Sequence, residues 1–332
     1  MAVLIADQSR MRLRRQRSMN STLAMDAALL EQIKQWNPDC IVADSMALWG
    51  KLIAKKLNIP FVSSTTTFAF NKDSAKVMQG SLKDLFKVLI QMGKAQKHIK
   101  RLQENGYDIK NVLEIIQNDN DTNTIVYTSP EFQPYSDTFS DRYVFVGPSI
   151  RPTNEVFEKT REKMVYISMG TVNNDMTVFY KNCIDALKDS DYQVVLSVGS
   201  QVDIKQLEEY VIQSESKAQF QVFSYVNQIA VLEKADAFIT HCGMNSVSEA
   251  LYFKVPLVMY PQTNEQKGVA FRVNELEAGL YLSGDSISEI QIILKELLQQ
   301  SKYKERATAI SNSFSKCGGS QRAVEKILDV CF

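Results

Sequence analysis

The chain has 332 residues, 45% hydrophobic and 23% charged, a composition that can fill a core and excludes wholesale disorder. Basic and acidic residues balance at 38 each, so no global charge draws the chain to nucleic acid or to an anionic membrane. The five cysteines (40, 183, 242, 317 and 331) form no CxxC pair and are odd in number, which argues against a disulfide framework or zinc site and fits a reducing cytoplasm.

The chain opens MAVLIADQSRMRLRRQRS, with apolar residues ahead of charges, the reverse of a secretory signal. Arg10, Arg12, Arg14, Arg15 and Arg17 read as a solvated tail. No apolar stretch reaches the roughly 18 residues of a membrane span. Apolar β-branched runs then alternate with helical patterns. DCIVAD (39–44), PFVSS (60–64), NTIVYT (123–128) and YVFVGP (143–148) are the early runs. The later ones are MVYISMG (164–170), YQVVLSVG (192–199), FQVFSYV (220–226), DAFITH (236–241), PLVMY (256–260) and GLYL (279–282). Continuous apolar strands alternating with helices predict parallel βαβ units, hence an α/β fold of two doubly wound, Rossmann-like layers.

Residues 72–122 read as mostly helical, with Met78, Phe86, Leu89, Ile90 and Met92 as a core stripe or pocket lining. VGPSIRPTNEVFEKTREK (146–163), proline-bearing and charged, reads as a connection between domains. The expected division is a first domain over 1–150, a linker over 151–163, and a second domain over 164–332 ending in a helix.

Candidate chemistry sits where strands hand over to helices, the place at which doubly wound sheets bind ligands. In ITHCGMNSVSEAL, Gly243 permits a tight turn, and Asn245 or Ser246 is positioned to cap the following helix, with Glu249 near its first turn. The helix start favours an anion, and His241 at the strand end can donate to it. A plain helix cap beside a buried histidine fits this stretch equally well. A metal site is disfavoured because His98, in a polar helical stretch, is the only other histidine. Cys242 as nucleophile has no second histidine nearby in sequence. Glu265 and Gln266 form a second polar junction suited to a ligand rich in hydroxyls, and Ser168, Gly170 and Thr171 form a third. Together the three suit a molecule with phosphate and sugar parts.

YVNQ (225–228), HCGMNSVSE (241–249), KVP (254–256) and EQ (265–266) follow one another as in a known donor signature. The chain, from about residue 20 to its end, resembles UDP-dependent glycosyltransferases of the macrolide glycosyltransferase type, whose architecture is GT-B. It departs from the pattern at Asn227, where proline is usual, and at Lys254, where glycine is usual and a side chain implies backbone strain. The resemblance makes 1–150 the acceptor-side domain and 164–332 the donor domain. It implies that the Val226 backbone pairs with uracil beside Gln228, and that His241 with the backbone of Gly243, Asn245 and Ser246 holds the diphosphate. Glu249 would accept from the ribose, Glu265 and Gln266 would hold the sugar, and Ser168, Gly170 and Thr171 would approach the phosphates. Thr66 and Thr67 are matched to the acceptor-side loop.

The implied reaction is inverting transfer of a hexose, glucose being the usual one, from a UDP-sugar co-substrate to a hydroxyl of a small apolar acceptor. It needs no cofactor and no metal. The attacking hydroxyl needs a base, in the family a histidine held by an aspartate. Asp44 in VADSMAL matches the aspartate, but the H-G-H-x-N-P-type segment that carries the histidine is not found. Three further expectations follow. The N-terminal domain lacks roughly its first three βα units. The strand at 39–43 presents an unpaired apolar edge. Catalysis by this chain is in doubt, with a non-catalytic UDP-sugar-binding remnant or accessory subunit and a nucleotide-sugar epimerase as the alternatives.

Overall fold

The structure, a computed structural model, describes residues 3–6, 29–71, 99–100, 102–107, 109, 120–170 and 176–332. The apolar stripe of Met78, Phe86, Leu89, Ile90 and Met92, His98 and the arginines of the leader lie outside these. The chain divides into two compact units, Met1–Gly147 with Lys316–Phe332, and Pro148–Ser315.

The first unit is built on a five-stranded parallel sheet in the order β1 (Val3–Ala6), β2 (Cys40–Asp44), β3 (Phe61–Thr65), β4 (Asn123–Val126) and β5 (Tyr143–Phe145). Helix α1 (Leu48–Leu57) makes the crossover from β2 to β3. The expected bare edge at 39–43 is corrected here. Residues Val3 to Ala6 of the leader pair in parallel with Cys40 to Ala43, so the strand is hydrogen-bonded on both sides. The apolar VLIA run, read as part of a tail, has the strand propensity to do this, and an open ladder of N–H and C=O groups rewards it.

The second unit carries a six-stranded, wholly parallel sheet. In chain order it comprises β6 (Met164–Ser168), α2 (Thr177–Leu187), β7 (Gln193–Ser197), α3 (Ile204–Gln213), β8 (Gln219–Phe223), α4 (Gln228–Leu232) and β9 (Ala237–Thr240). It continues with α5 (Met244–Tyr252), β10 (Leu257–Met259), α6 (Asn264–Glu275), β11 (Gly279–Tyr281), α7 (Ile287–Gln299) and α8 (Ser301–Ser315). Every residue of β6, β7, β9 and β10 is buried, which is why these strands read as unbroken apolar runs. On one face Val165, Ile167, Val194, Leu196 and Ile239 pack with Phe179, Ile184 and Leu187 of α2 and Ile290 and Leu294 of α7. Each such side chain contributes about 1.5–3 kcal/mol by leaving water.

The strand order is β11-β10-β9-β6-β7-β8. The chain runs outward from β6 to β8, then returns to the other side of β6 with β9. The crevice between the C-terminal ends of β6 and β9 is therefore the switch point at which such sheets take ligands.

Two expectations about domain limits change. Much of the supposed linker is bound to the second unit: Lys159 Nζ donates to Asp236 Oδ2 at 2.6 Å, Thr160 N to Gln193 Oε1 at 2.8 Å, and Asn227 Nδ2 to Thr153 Oγ1 at 2.7 Å. The last helix, α9 (Gly319–Cys331), assigned by sequence order to the second domain, belongs to the first unit. Its Ala323, Ile327, Val330 and Cys331 cover Cys40, Val42, Val62 and Ile125, and Gly319 N donates to Val146 O at 2.9 Å. An amphipathic helix buries its apolar stripe wherever a matching face is open, and the first sheet supplies that face. Among the described residues, no helix is long and apolar enough to cross a membrane.

Lys254 is strained as its sequence position suggests. It follows α5 with φ of 62°, its N–H bonding Leu251 O at 3.0 Å and the next N–H, from Val255, bonding Ala250 O at 2.8 Å. This is a Schellman ending, in which glycine normally fills the left-handed position. Lys254→Gly is expected to stabilise the protein by roughly 1 kcal/mol, relief of left-handed strain outweighing the added freedom of the unfolded chain. The check is the urea unfolding midpoint of the variant against the parent, which should rise.

Candidate functional site

His241 directly follows β9, and Gly170 lies two residues beyond β6, so the switch point brings them together. The imidazole is wedged between two backbones. A methyl group on Gly170 would stand 2.7 Å from both Cε1 and Nε2 of His241, and one on Gly243 would stand 2.8 Å from Nε2. Gly170 also has φ of 82°. Both glycines are thus required by contact with one ring, and Gly170 by its backbone as well. Between ring and helix, Cys242 adopts φ of 65°, a left-handed turn uncommon for a side chain of its kind. Cys242 is fully buried and its thiol pKa is raised by burial, so it is an inert turn residue and not a nucleophile.

Burial lowers the His241 pKa below 6.5, opposed by the Ser168 backbone, which favours the charged ring. Nδ1 is enclosed without a hydrogen bond of good geometry. The ring is therefore neutral near pH 7 and under-satisfied.

Helix α5 begins beside this ring. The sequence suggests Asn245 or Ser246 as its cap, but the N-cap is Gly243, and no side chain caps the helix. Asn245 is exposed and Ser246 half-buried in the first turn. By contrast α3, α4, α6 and α7 are capped by Asp203, Asn227, Thr263 and Ser286. The start of α5 thus leaves its first N–H groups and the positive end of its dipole open to an anion.

A polar chain reaches α5 at Ser246 and Glu249. Gln228, first residue of α4, donates from Nε2 to Glu249 Oε2 in a short contact and to Ser246 Oγ at 3.4 Å, while its Oε1 accepts from the Tyr166 hydroxyl at 3.2 Å. Burial raises the Glu249 pKa; the Gln228 amide and the charge of Arg151 act the other way. Val226 precedes this helix, and its neighbour Tyr225 is 77% exposed, a large aromatic face at the same strand end. Asn227 replaces the usual proline with a working cap, its Oδ1 accepting from Ala230 N at 3.4 Å.

The junction at Glu265 and Gln266 behaves differently from its sequence reading. Gln266 sits at the third position of α6, and its Oε1 accepts from Gln262 N at 2.7 Å and Thr263 N at 3.0 Å, completing a capping box with Thr263. Its carbonyl is committed to the backbone, so only its amide hydrogens remain for a ligand. The T-x-x-Q spacing in TNEQ is the signal for this in the sequence. Glu265 is exposed in the first turn of α6. Ser168 is buried at the end of β6, its Oγ 3.5 Å from Gly170 N. Thr171 lies outside the described residues.

In the first unit, Asp44 ends β2 and its Oδ1 accepts from Met46 N at 2.8 Å, a turn-forming bond. Thr66 is exposed after β3, and Thr67 Oγ1 lies 3.4 Å from Phe68 O. Among the described residues, no group of three His, Cys, Asp or Glu could hold a metal ion.

Residues 151–316, which contain every part of this switch-point site, match the family described as UDP-glucoronosyl and UDP-glucosyl transferase. The UDP-glucosyltransferase YojK of Bacillus subtilis (strain 168) is 35% identical over 313 residues, spanning 91% of this chain and 75% of that protein. The chain belongs to this UDP-glycosyltransferase family. Its architecture is that of GT-B glycosyltransferases. The calicheamicin glycosyltransferase CalG4 superposes with a TM-score of 0.78 at 26% identity, covering 94% of this chain and 80% of that one. The glycotransferase of kitacinnamycin shares the fold with a TM-score of 0.82 at 23% identity, covering 96% of this chain and 84% of that one. Two residues of the site, Tyr166 and Arg151, lie outside the family's sequence signature. Period two along β6 places Tyr166 on the same face as Ser168 and is a usable signal; for Arg151 there is none.

The depressed His241 pKa sets a pH dependence. Burial favours the neutral ring, so the native state binds fewer protons than the unfolded state below pH 6.5. The stabilisation is complete above 6.5 and is lost as pH falls through the lower native pKa. The His241 ring signals in NMR are expected to titrate with a midpoint below 6.5, and Gly243→Ala, by pushing the ring outward, should move that midpoint toward 6.5.

Proposed function

We propose that this glycosyltransferase moves a hexose from a UDP-sugar to a hydroxyl of a small apolar acceptor with inversion at the anomeric carbon. The observation that carries the reading is the His241 ring, seated between Gly170 and Gly243 beside an uncapped helix start. The diphosphate would lie on the N–H groups of α5 and on His241, the ribose hydroxyls against Glu249, and uracil against the Val226 backbone with Tyr225 as a stacking face. Ser168, Gly170 and Thr171 would approach the phosphates, Asn245 and Ser246 would contribute backbone, and Glu265 with the amide of Gln266 would meet the sugar.

As the acceptor oxygen attacks, the sugar–phosphate bond breaks and charge builds on the departing UDP. Preorganised donors at that position are often worth about 3–4 kcal/mol each. A neutral His241 that takes up a proton as the diphosphate arrives adds a charge where the leaving group needs it. No metal or other cofactor is part of this scheme. Glucose as the sugar is supported by the likeness to the UDP-glucosyltransferase YojK. Thr66 and Thr67 are the acceptor-side candidates. The relatives are transferases, and the epimerase reading has no support among them.

A second reading is a UDP-sugar-binding protein without turnover.

Calorimetry with UDP tests the donor site. The parent is expected to bind UDP and, near pH 6, to take up protons on binding, seen as heats that vary with buffer ionisation enthalpy. His241→Ala should weaken binding at least tenfold, abolish the proton uptake, and leave the unfolding midpoint within a few degrees. A separate assay for UDP release from UDP-glucose with and without a phenolic acceptor divides the two readings: binding with acceptor-dependent release supports transfer, binding without it the second reading.

A further inference from the structure

Tyr166 is 1% exposed, in the middle of β6, with its ring stacked on Phe238 at 4.6 Å between centroids. Its hydroxyl is aimed at the site and not lost in the core. It donates to Gln228 Oε1 at 3.2 Å and lies beside the side chains of Ser168 and Ser197. The opposite end of the same amide, Nε2, donates to Glu249 Oε2. Hydroxyl and carboxylate therefore demand one orientation of Gln228, with oxygen toward Tyr166 and nitrogen toward Glu249, and each bond polarises the next. Burial pushes the Tyr166 pKa up to about 12, so the phenol keeps its proton and remains a donor throughout the physiological range. At the end of the chain, Oε1 of Glu249 carries no hydrogen bond among the described residues, which leaves an acceptor on an anchored carboxylate.

We propose that Tyr166 is a positioning residue for nucleotide recognition: through Gln228 it fixes the Glu249 carboxylate as the acceptor for ribose hydroxyls, and so sets the preference for a ribonucleotide. This rests on the donor reading above. Tyr166 touches no substrate; it acts through two other side chains. A merely structural tyrosine would affect stability, or affinity for every nucleotide alike, whereas this one controls a difference between two ligands.

The test compares UDP with 2′,3′-dideoxy-UDP, which has the same base and diphosphate, by calorimetry on the full chain. The parent is expected to prefer UDP at least tenfold. Tyr166→Phe keeps the ring stack and removes only the oxygen. It should narrow that preference roughly threefold to tenfold, with the dideoxy affinity unchanged. Glu249→Gln should narrow it at least as far. Should Tyr166→Phe fail to fold, Gln228→Met breaks the same chain at its half-buried end and is expected to give the same narrowing. A Tyr166→Phe protein, or in its place a Gln228→Met protein, that retains the parental preference would overturn the proposal. So would equal loss of both affinities. A parent that binds no UDP would instead defeat the donor reading on which the proposal stands, and a parent that binds both ligands equally would remove Glu249 from ribose recognition.

Discussion

The site is organised by a contact between an imidazole and two backbones that carry no side chains. His241 occupies the crevice between β6 and β9 because Gly170 and Gly243 leave it a slot, with 2.7–2.8 Å between ring atoms and the places where a methyl group would be. The ring is buried enough to lose its charge, and it stands at the mouth of a helix whose first amides have no side-chain cap. Each feature is a small local cost: a left-handed Cys242, an enclosed Nδ1, an uncapped helix. An anion lying across the slot would relieve the last of these by accepting from the open helix start, which is how a preorganised binding site differs from a poorly packed one.

Around this contact the second unit separates structural from ligand-directed polarity. Asp203, Asn227, Thr263 and Ser286 cap their helices, and Gln266 completes the box at α6. Gln228 and Glu249 make no such cap. They are joined to each other and to a buried phenol, and they present a carboxylate whose pKa is raised by burial. Polar side chains at strand ends look alike in sequence; their hydrogen-bond partners divide them into those already committed and those held ready.

Much of the architecture was legible in the residues. Buried parallel strands such as MVYIS and QVVLS carry no polar alternation, and their spacing by helical stretches gives the doubly wound layers directly. The HCGMNSVSE and EQ runs identified the family and pointed to the crevice. Lys254 could be recognised as strained because its place in the signature asks for glycine, and it does adopt a left-handed backbone. Less legible were features that depend on which face is left open. VLIA pairs with β2, and α9 crosses from the end of the chain to the first sheet, because both find an unoccupied apolar or hydrogen-bonding surface there. Nothing local in either segment encodes that choice.

The sequence by itself determined the strands other than β1, their alternation with helices, the family and the set of polar residues at the strand ends, because periodicity and motif spacing are properties of neighbours along the chain. Only the tertiary structure decided that Gln266 caps a helix, that Tyr166 reaches Gln228, that two glycines 73 positions apart clasp one histidine, and that the last helix serves the first unit. Those outcomes depend on strand order in the sheet, which brings β9 back beside β6, and on competition among side chains for partners distant in sequence.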